Sequence, residues 1–197
     1  MIWIIVAILV WGAVHSWLGS LGVKEYIHRT FGGWFFRFYR LAYNLFSVIS
    51  FAPILILVRL LPDRPLYAAQ APWLYAMLAG QAVALILLIA TLLQTDTASF
   101  IGLRQVLQGE SPAVLVTDGF YRWVRHPLYL FALLILWLTP VMALNMLVAY
   151  VALTVYLLVG AIFEERKLTR EFGSAYAAYK ARTPMIIPLP VHLRRRA

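Results

Sequence analysis

Four apolar runs, at about Ile2–Leu18, Leu41–Leu61, Trp73–Leu93 and Leu128–Phe163, decide what this chain can become. A bilayer-spanning helix needs about 20 apolar residues and tolerates about 17, so the first three runs each supply one span. The fourth runs 36 residues without a charge, long enough for two somewhat short spans, and Thr139-Pro140 toward its middle supplies a turn. Backbone polar groups in hydrocarbon must be satisfied internally, and a helix does this within one segment. The chain therefore reads as an all-α polytopic integral membrane protein with about five transmembrane helices, the last two forming a helical hairpin over residues 128–163. Apolar residues make up 63% of the sequence and charged residues 13%, outside the range of a soluble domain. Met1–Gly19 lacks the basic leader of a cleaved signal peptide, and Trp3, Trp11 and Trp17 suit a retained membrane helix, so it is read as a span.

The basic residues orient these spans. Lys24, Arg29, Arg37 and Arg40 follow the first span, Arg104, Arg122 and Arg125 follow the third, and eight more follow Phe163, from Arg166 to Arg196. Only Arg59 and Arg64 fall on the opposite side. Positive-inside bias then puts the N-terminus outside and the C-terminus in the cytoplasm. The net charge of +9 fits attraction to anionic headgroups. Basic residues scattered along membrane edges do not make a nucleic-acid surface, so no nucleic acid is expected as a partner. Cysteine is absent, which excludes disulfides, thiolate zinc sites and a cysteine nucleophile. His15, His28, His126 and His192 are far apart with no i,i+4 pair, and no metal is expected.

The sequence has no internal repeat or flexible linker and reads as one domain, residues 1–197. Residues 1–93 hold three transmembrane helices. Residues 94–197 hold an interfacial loop, the hairpin and a charged tail. Phe163, Leu168, Phe172, Tyr176 and Tyr179 recur at roughly helical spacing, so Phe163–Lys180 is expected as a helix leaving the bilayer. Thr183-Pro184 ends it, and Pro188 and Pro190 keep the tail extended.

Two motifs carry candidate chemistry. In Arg125-His126-Pro127, the proline suits the first turn of a helix and disfavours helix in the residue before it. Pro127 should start the fourth span with His126 just outside. The first backbone N–H groups and the positive end of the helix dipole are then free for a carboxylate or phosphate. The plainer reading makes Arg125 and His126 interface anchors. The second motif is Glu164-Glu165, directly after the apolar span. At i+4 both glutamates meet uncharged residues, Leu168 and Thr169, so only Glu164–Lys167 can pair along the helix. Either this is a solvated helix face, or the carboxylates accept from a ligand's amine or ribose hydroxyls.

Arg125-His126-Pro127-Leu128-Tyr129, then Glu164-Glu165, Leu168, Phe172-Gly173-x2-Tyr176-x2-Tyr179, Pro184 and Pro188, resembles the isoprenylcysteine carboxyl methyltransferase family. It is also similar to the wider group of integral-membrane methyltransferases that includes the phospholipid methyltransferases. The resemblance covers about residues 94–190. It implies an S-adenosylmethionine-dependent methyltransferase acting on a lipophilic acceptor that enters from the bilayer, with the cofactor held by the C-terminal half. By position in the family pattern, it implies cofactor-binding roles for Gln105, for the strip Ala113, Val114, Leu115 and Val116, and for Tyr121, His126, Pro127, Leu128, Tyr129 and Glu164. It implies that Arg125 and Arg182 are the catalytic arginines near the site. Four residues before Glu164 the prenylcysteine enzymes carry an arginine where this chain has Gly160, so prenylcysteine is not the expected acceptor. Gly160 reads either as a site of close helix packing or as room for a bulkier or uncharged acceptor. His15-Ser16 and Arg37-x2-Arg40-x2-Tyr43-Asn44 loosely resemble small bacterial membrane proteins of the NnrU group, which points to a bacterial inner membrane. They read as interface anchors and interhelical hydrogen bonds, or as parts of an acceptor pocket.

Two other classes stay open. Membrane sterol reductases share a related C-terminal pattern but use NADPH, whose phosphates call for more loop arginines than Arg104, Arg122 and Arg125. A non-catalytic membrane protein of the same fold would bind neither cofactor, or bind without transfer.

Overall fold

The computed structural model describes residues 1–109 and 114–188. Helices α1 (Ile2–Gly19) and α2 (Leu21–Leu60) come first, then strand β1 (Pro65–Ala68) and helix α3 (Trp73–Gln94). The short helices α4 (Thr97–Ile101) and α5 (Leu103–Gln108) follow, with a single 3₁₀ turn at Gly119–Arg122. Helix α6 (Pro127–Trp137), strand β2 (Val141–Ala143) and helix α7 (Leu144–Arg182) complete the order. Helices α1, α2, α3 and α7 are long and apolar enough to cross a membrane, and α6 is a shorter apolar helix. The chain is an all-α polytopic integral membrane protein, as its hydropathy requires. The turn of the last hairpin falls at Thr139-Pro140, as expected. The division is unequal, because α6 has 11 residues and rises only about 16 Å, whereas α7 has 39. The strand pair, which hydropathy does not announce, is antiparallel: Leu144 N donates to Arg64 O at 2.9 Å and Ala69 N to Pro140 O at 2.8 Å.

Packing divides the chain into two compact units, and α7 contributes to both. The first comprises Met1–Leu66, Asp96–Ala113 and Met142–Leu153. Its apolar centre is Ile4, Ile8, Ile54 and Ala149. Between α1 and α2 runs a polar seam. Trp11 Nε1 donates to Ser50 Oγ (3.1 Å), while the two ring nitrogens of His15 meet Ser47 Oγ (2.9 Å) and the Tyr43 hydroxyl (2.6 Å). Such satisfied pairs hold helices together where water cannot, which favours the interhelical reading of this motif. Asn44, grouped with them in the sequence, instead donates to Phe100 O (3.1 Å). At the start of α7 the carboxylate of Asp63 accepts Asn145 N (2.9 Å), and the buried Asn145 amide donates to Leu61 O and Pro62 O (3.1 and 3.3 Å). Asp96 caps α4 and pairs with Arg104 at 2.6 Å. Gly102, at φ 97°, runs so close to α2 that a Cβ there would sit 2.6 Å from Leu41 N.

The second unit comprises Tyr67–Thr95, Val114–Val141 and the chain from Thr154 onward. Here α3 packs along α6. A Cβ on Gly80 would lie 2.8 Å from Leu138 Cδ1, and Gln81 Nε2 donates to Ile135 O at 2.8 Å. The 3₁₀ turn is fixed to the end of α3 by Phe120 N donating to Gln94 Oε1 (3.1 Å).

Candidate functional site

The site of the second unit is built on the start of α6. Pro127 is its first residue and His126 its N-cap, with no side chain capping the helix, so the proline ends the preceding loop where its ring geometry dictates. Residues 184–185 run alongside this turn: Arg125 N donates to Pro184 O (2.8 Å) and His126 N to Met185 O (3.0 Å). The donors that would otherwise be orphaned at the loop end are thereby satisfied.

Beneath the turn, Arg125 and Glu165 form a buried ion pair, each below a tenth exposed. Arg125 Nε donates to Glu165 Oε1 (2.7 Å), and Nη2 lies beside the same oxygen. Nη1 donates to Lys180 O (3.2 Å) and to Thr183 O. Lys180 Nζ reaches the other Glu165 oxygen at 2.8 Å. The carboxylate thus faces two cations, which is how a buried charge is tolerated. On a straight helix the 15 residues from Glu165 to Lys180 would separate them by about 22 Å. Gly173 removes that distance. Its φ of 52° and ψ of −125° break the helical path, in a region that suits only glycine, and the segment behind it folds back. Tyr176 and Tyr179 are buried by the same reversal, and the Tyr179 hydroxyl donates to Tyr121 O at 2.6 Å.

A second, more open face lies next to the pair. Glu164 is 46% exposed at its side chain, accepts the Tyr129 hydroxyl at 2.8 Å, and stands 3.7 Å from His126 Nδ1. The His126 and Tyr129 rings stack at 5.2 Å. His126 Nε2 is 3.4 Å from Glu165 Oε1 without a well-formed hydrogen bond. Burial pushes the imidazole below its ordinary range, against the pull of Glu164 and Glu165, so at neutral pH it is uncharged. The Tyr121 phenol is pushed up to about 12 by burial, and then by the Glu164 charge, and remains a proton donor. Together the open helix N-terminus, the imidazole, two phenols and one half-exposed carboxylate can hold a ligand bearing both a carboxylate and a cation.

Of the residues singled out from sequence, Tyr121, His126, Pro127, Tyr129 and Glu164 come together here, with Leu128 half-buried on the same turn. Val114, Leu115 and Val116 lie in the irregular segment before the 3₁₀ turn, Val114 exposed and the other two half-buried. Arg125 points into the protein, and Arg182 is exposed at the last residue of α7. Gln105 lies in the first unit, within hydrogen-bonding reach of Ser99 Oγ (2.8 Å). Ala113 lies outside the described residues, as do His192 and the Arg194–Arg196 run. A Cβ on Gly160 would meet no heavy atom within 4 Å. Close helix packing therefore does not account for this glycine: the space beside it is open among the described residues. Glu165, Lys180 and Thr183 went unrecognised as partners of Arg125, because Glu165 lies 40 residues away on another helix and Lys180 and Thr183 return only through the reversal at Gly173.

Fold and site together define an integral membrane protein with an ionisable cluster at the start of a short apolar helix. The chain belongs to the DUF1295 family, described as proteins of unknown function, whose family model matches residues 27–183. It is 38% identical over 108 residues to a protein of Crocosphaera subtropica named methanethiol S-methyltransferase, covering 52% of this chain and 42% of that one. A protein of the same name from Pseudomonas deceptionensis is 35% identical over 108 residues (52% and 41%), and another from a Pseudomonas strain is 30% identical over 177 residues (81% and 65%). The chain spans less than half the length of the first two and about two thirds of the third. These names bear out the resemblance to methyltransferases stated from the sequence. No solved structure matches the chain.

Proposed function

We propose that the protein is an S-adenosylmethionine-dependent methyltransferase acting on a small lipophilic acceptor that reaches the site from the bilayer. A thiol such as methanethiol is the first candidate. The reading rests on the face formed by His126, Tyr129 and Glu164 at the start of α6, which pairs an uncapped helix N-terminus with a half-exposed carboxylate. That pairing suits the amino-acid end of the cofactor, whose carboxylate is favoured at a helix N-terminus and whose ammonium is favoured beside Glu164. The names of the relatives support the same chemistry.

When bound, the cofactor supplies an electrophilic methyl group on a sulfonium. The protein's part is to hold, orient and exclude water. The start of α6 and the neutral His126 receive the carboxylate, Glu164 accepts from the ammonium or the ribose hydroxyls, and the Tyr121 phenol donates. Leu115, Val116 and Leu128 give the apolar lining, and Gln105 and Ala113 belong to the same reading by resemblance. The open space beside Gly160 suits an acceptor without a carboxylate, since no arginine stands there. The distribution of basic residues supports an N-terminus outside and a C-terminus in the cytoplasm, the membrane of this reading being a bacterial inner membrane.

Calorimetric binding to the detergent-purified protein tests this. S-adenosylmethionine and S-adenosylhomocysteine should bind saturably, Glu164→Ala and His126→Ala should each weaken binding about tenfold or more, and labelled methyl should pass to methanethiol. Binding of NADPH with no binding of S-adenosylmethionine would replace this reading with a reductase. Binding without transfer to any lipophilic acceptor would leave a non-catalytic protein.

A further inference from the structure

The resemblance gives Arg125 a catalytic place, but its geometry gives it another task. Each of its three guanidinium nitrogens is engaged inside the protein: Nε and Nη2 with Glu165, Nη1 with Lys180 O and Thr183 O. Its backbone N–H is bonded to Pro184 O, and the residue is 8% exposed. A side chain so committed has little surface left for a cofactor or acceptor. Its neighbours are different. His126 directly follows it, and Glu164 directly precedes its partner Glu165, so both members of the open face are covalently adjacent to the buried pair. We propose that Arg125, with Glu165 and Lys180, is a positioning assembly: it locks the α6 start, α7 and the returning 180–185 segment together, so that His126 and Glu164 face the ligand in fixed register. The functional side of this proposal rests on the methyltransferase reading; the structural side does not.

The assembly also fixes a charge. Facing His126 are Glu164 and Glu165 from α7, Tyr129 stacked on it from α6, Arg125 before it, and Lys180 through Glu165. With both cations present, the pull of Glu165 on the imidazole proton is partly offset. Without Arg125, a buried carboxylate 3.4 Å from His126 Nε2 has lost its nearest counter-ion, and protonating His126 becomes the simplest way to compensate it. A merely structural arginine would leave the histidine's titration where it was.

The experiment is nuclear magnetic resonance of the full chain in detergent with ring-labelled histidine, the His126 signal being assigned by its loss in His126→Gln. Arg125→Met should raise the pH at which His126 titrates by about one pH unit. Arg125→Lys should restore most of the difference, and the double variant Arg125→Met, Glu165→Leu should return it to the wild-type value. An unmoved His126 in a folded Arg125→Met protein would overturn the proposal. Should that variant fail to fold, Lys180→Met, at an exposed position, should give a smaller rise in the same direction; no rise there would overturn it equally. Methyl transfer is followed in parallel, with kcat/KM expected to fall at least tenfold in Arg125→Met and to recover in Arg125→Lys. A wild-type protein that transfers no methyl while His126 shifts as described would reject the methyltransferase reading and keep the assembly. Full kcat/KM in Arg125→Met would reject the assembly's role in catalysis.

Discussion

Successive side chains leave an α-helix about 100° apart, so Glu164 and Glu165 depart from α7 in different directions and meet different surroundings. Glu165 is enclosed with Arg125 and Lys180, whereas Glu164 is half-exposed and meets the Tyr129 hydroxyl and the neighbouring imidazole. His126 stands between them, and its burial has a consequence for stability. Its proton affinity in the folded chain lies below the ordinary value of 6.5, so on acidification the unfolded chain binds a proton that the native state refuses. Stability contributed by neutral His126 is complete above about pH 6.5 and is lost as pH falls through that value toward the folded one. Thermal unfolding of the purified protein between pH 7.5 and 5 should show this decline, and His126→Gln should flatten it. A wild-type curve no steeper than that of the variant would contradict the burial argument.

The helix that carries both glutamates also carries the reversal that brings Lys180 back to them. At Gly173 a Cβ would meet nothing within 4 Å, so space is not the constraint; the backbone angles are. Gly173→Ala should destabilise the protein by about 1–3 kcal/mol and weaken S-adenosylhomocysteine binding by loosening the Lys180–Glu165 contact. Matched thermal melts and calorimetry would measure both, and an alanine variant as stable as wild type would refute the reading. Much of this was legible in the chain. The hydropathy runs set the spans, Thr139-Pro140 set the hairpin turn, and Pro127 set the start of α6, each because a local rule acts on adjacent residues. The Arg125–Glu165–Lys180 cluster was not legible, because its members are 40 and 15 residues apart and meet only after a glycine leaves helical geometry. The same limit hid the pairing of β1 with β2, where only Tyr67 and Val141 are of strand-preferring types, and the partners of Asn145.

For the molecule as a whole, the distribution of 17 basic residues makes a definite claim about sidedness. Cysteine is absent, so single cysteines report cleanly. In intact bacterial inner-membrane vesicles of known orientation, a membrane-impermeant maleimide should label Arg64→Cys from the outer face and Arg170→Cys from the cytoplasmic face. The opposite pattern would invert the proposed topology and place the candidate site on the far side from a cytoplasmic methyl donor.

The two ends of the membrane part of α7 are both fastened. Asn145 is held by Asp63, Leu61 and Pro62 at one end, and Glu165 by Arg125 and Lys180 at the other. Twenty residues separate them, a rise of about 30 Å, which matches the hydrocarbon thickness of a bilayer. Along the helix, the direction in which each side chain leaves is set by its count along the chain. One residue inserted between the fastenings would turn everything beyond it by about 100° and carry Glu164 into the direction now held by Glu165. Glu165 would turn on into the direction now held by Arg166, and Phe163 would take the place of Glu164, so the open carboxylate would be lost with no substitution at the site. What the site presents to a ligand is thus set partly by a count of apolar residues that never touch it.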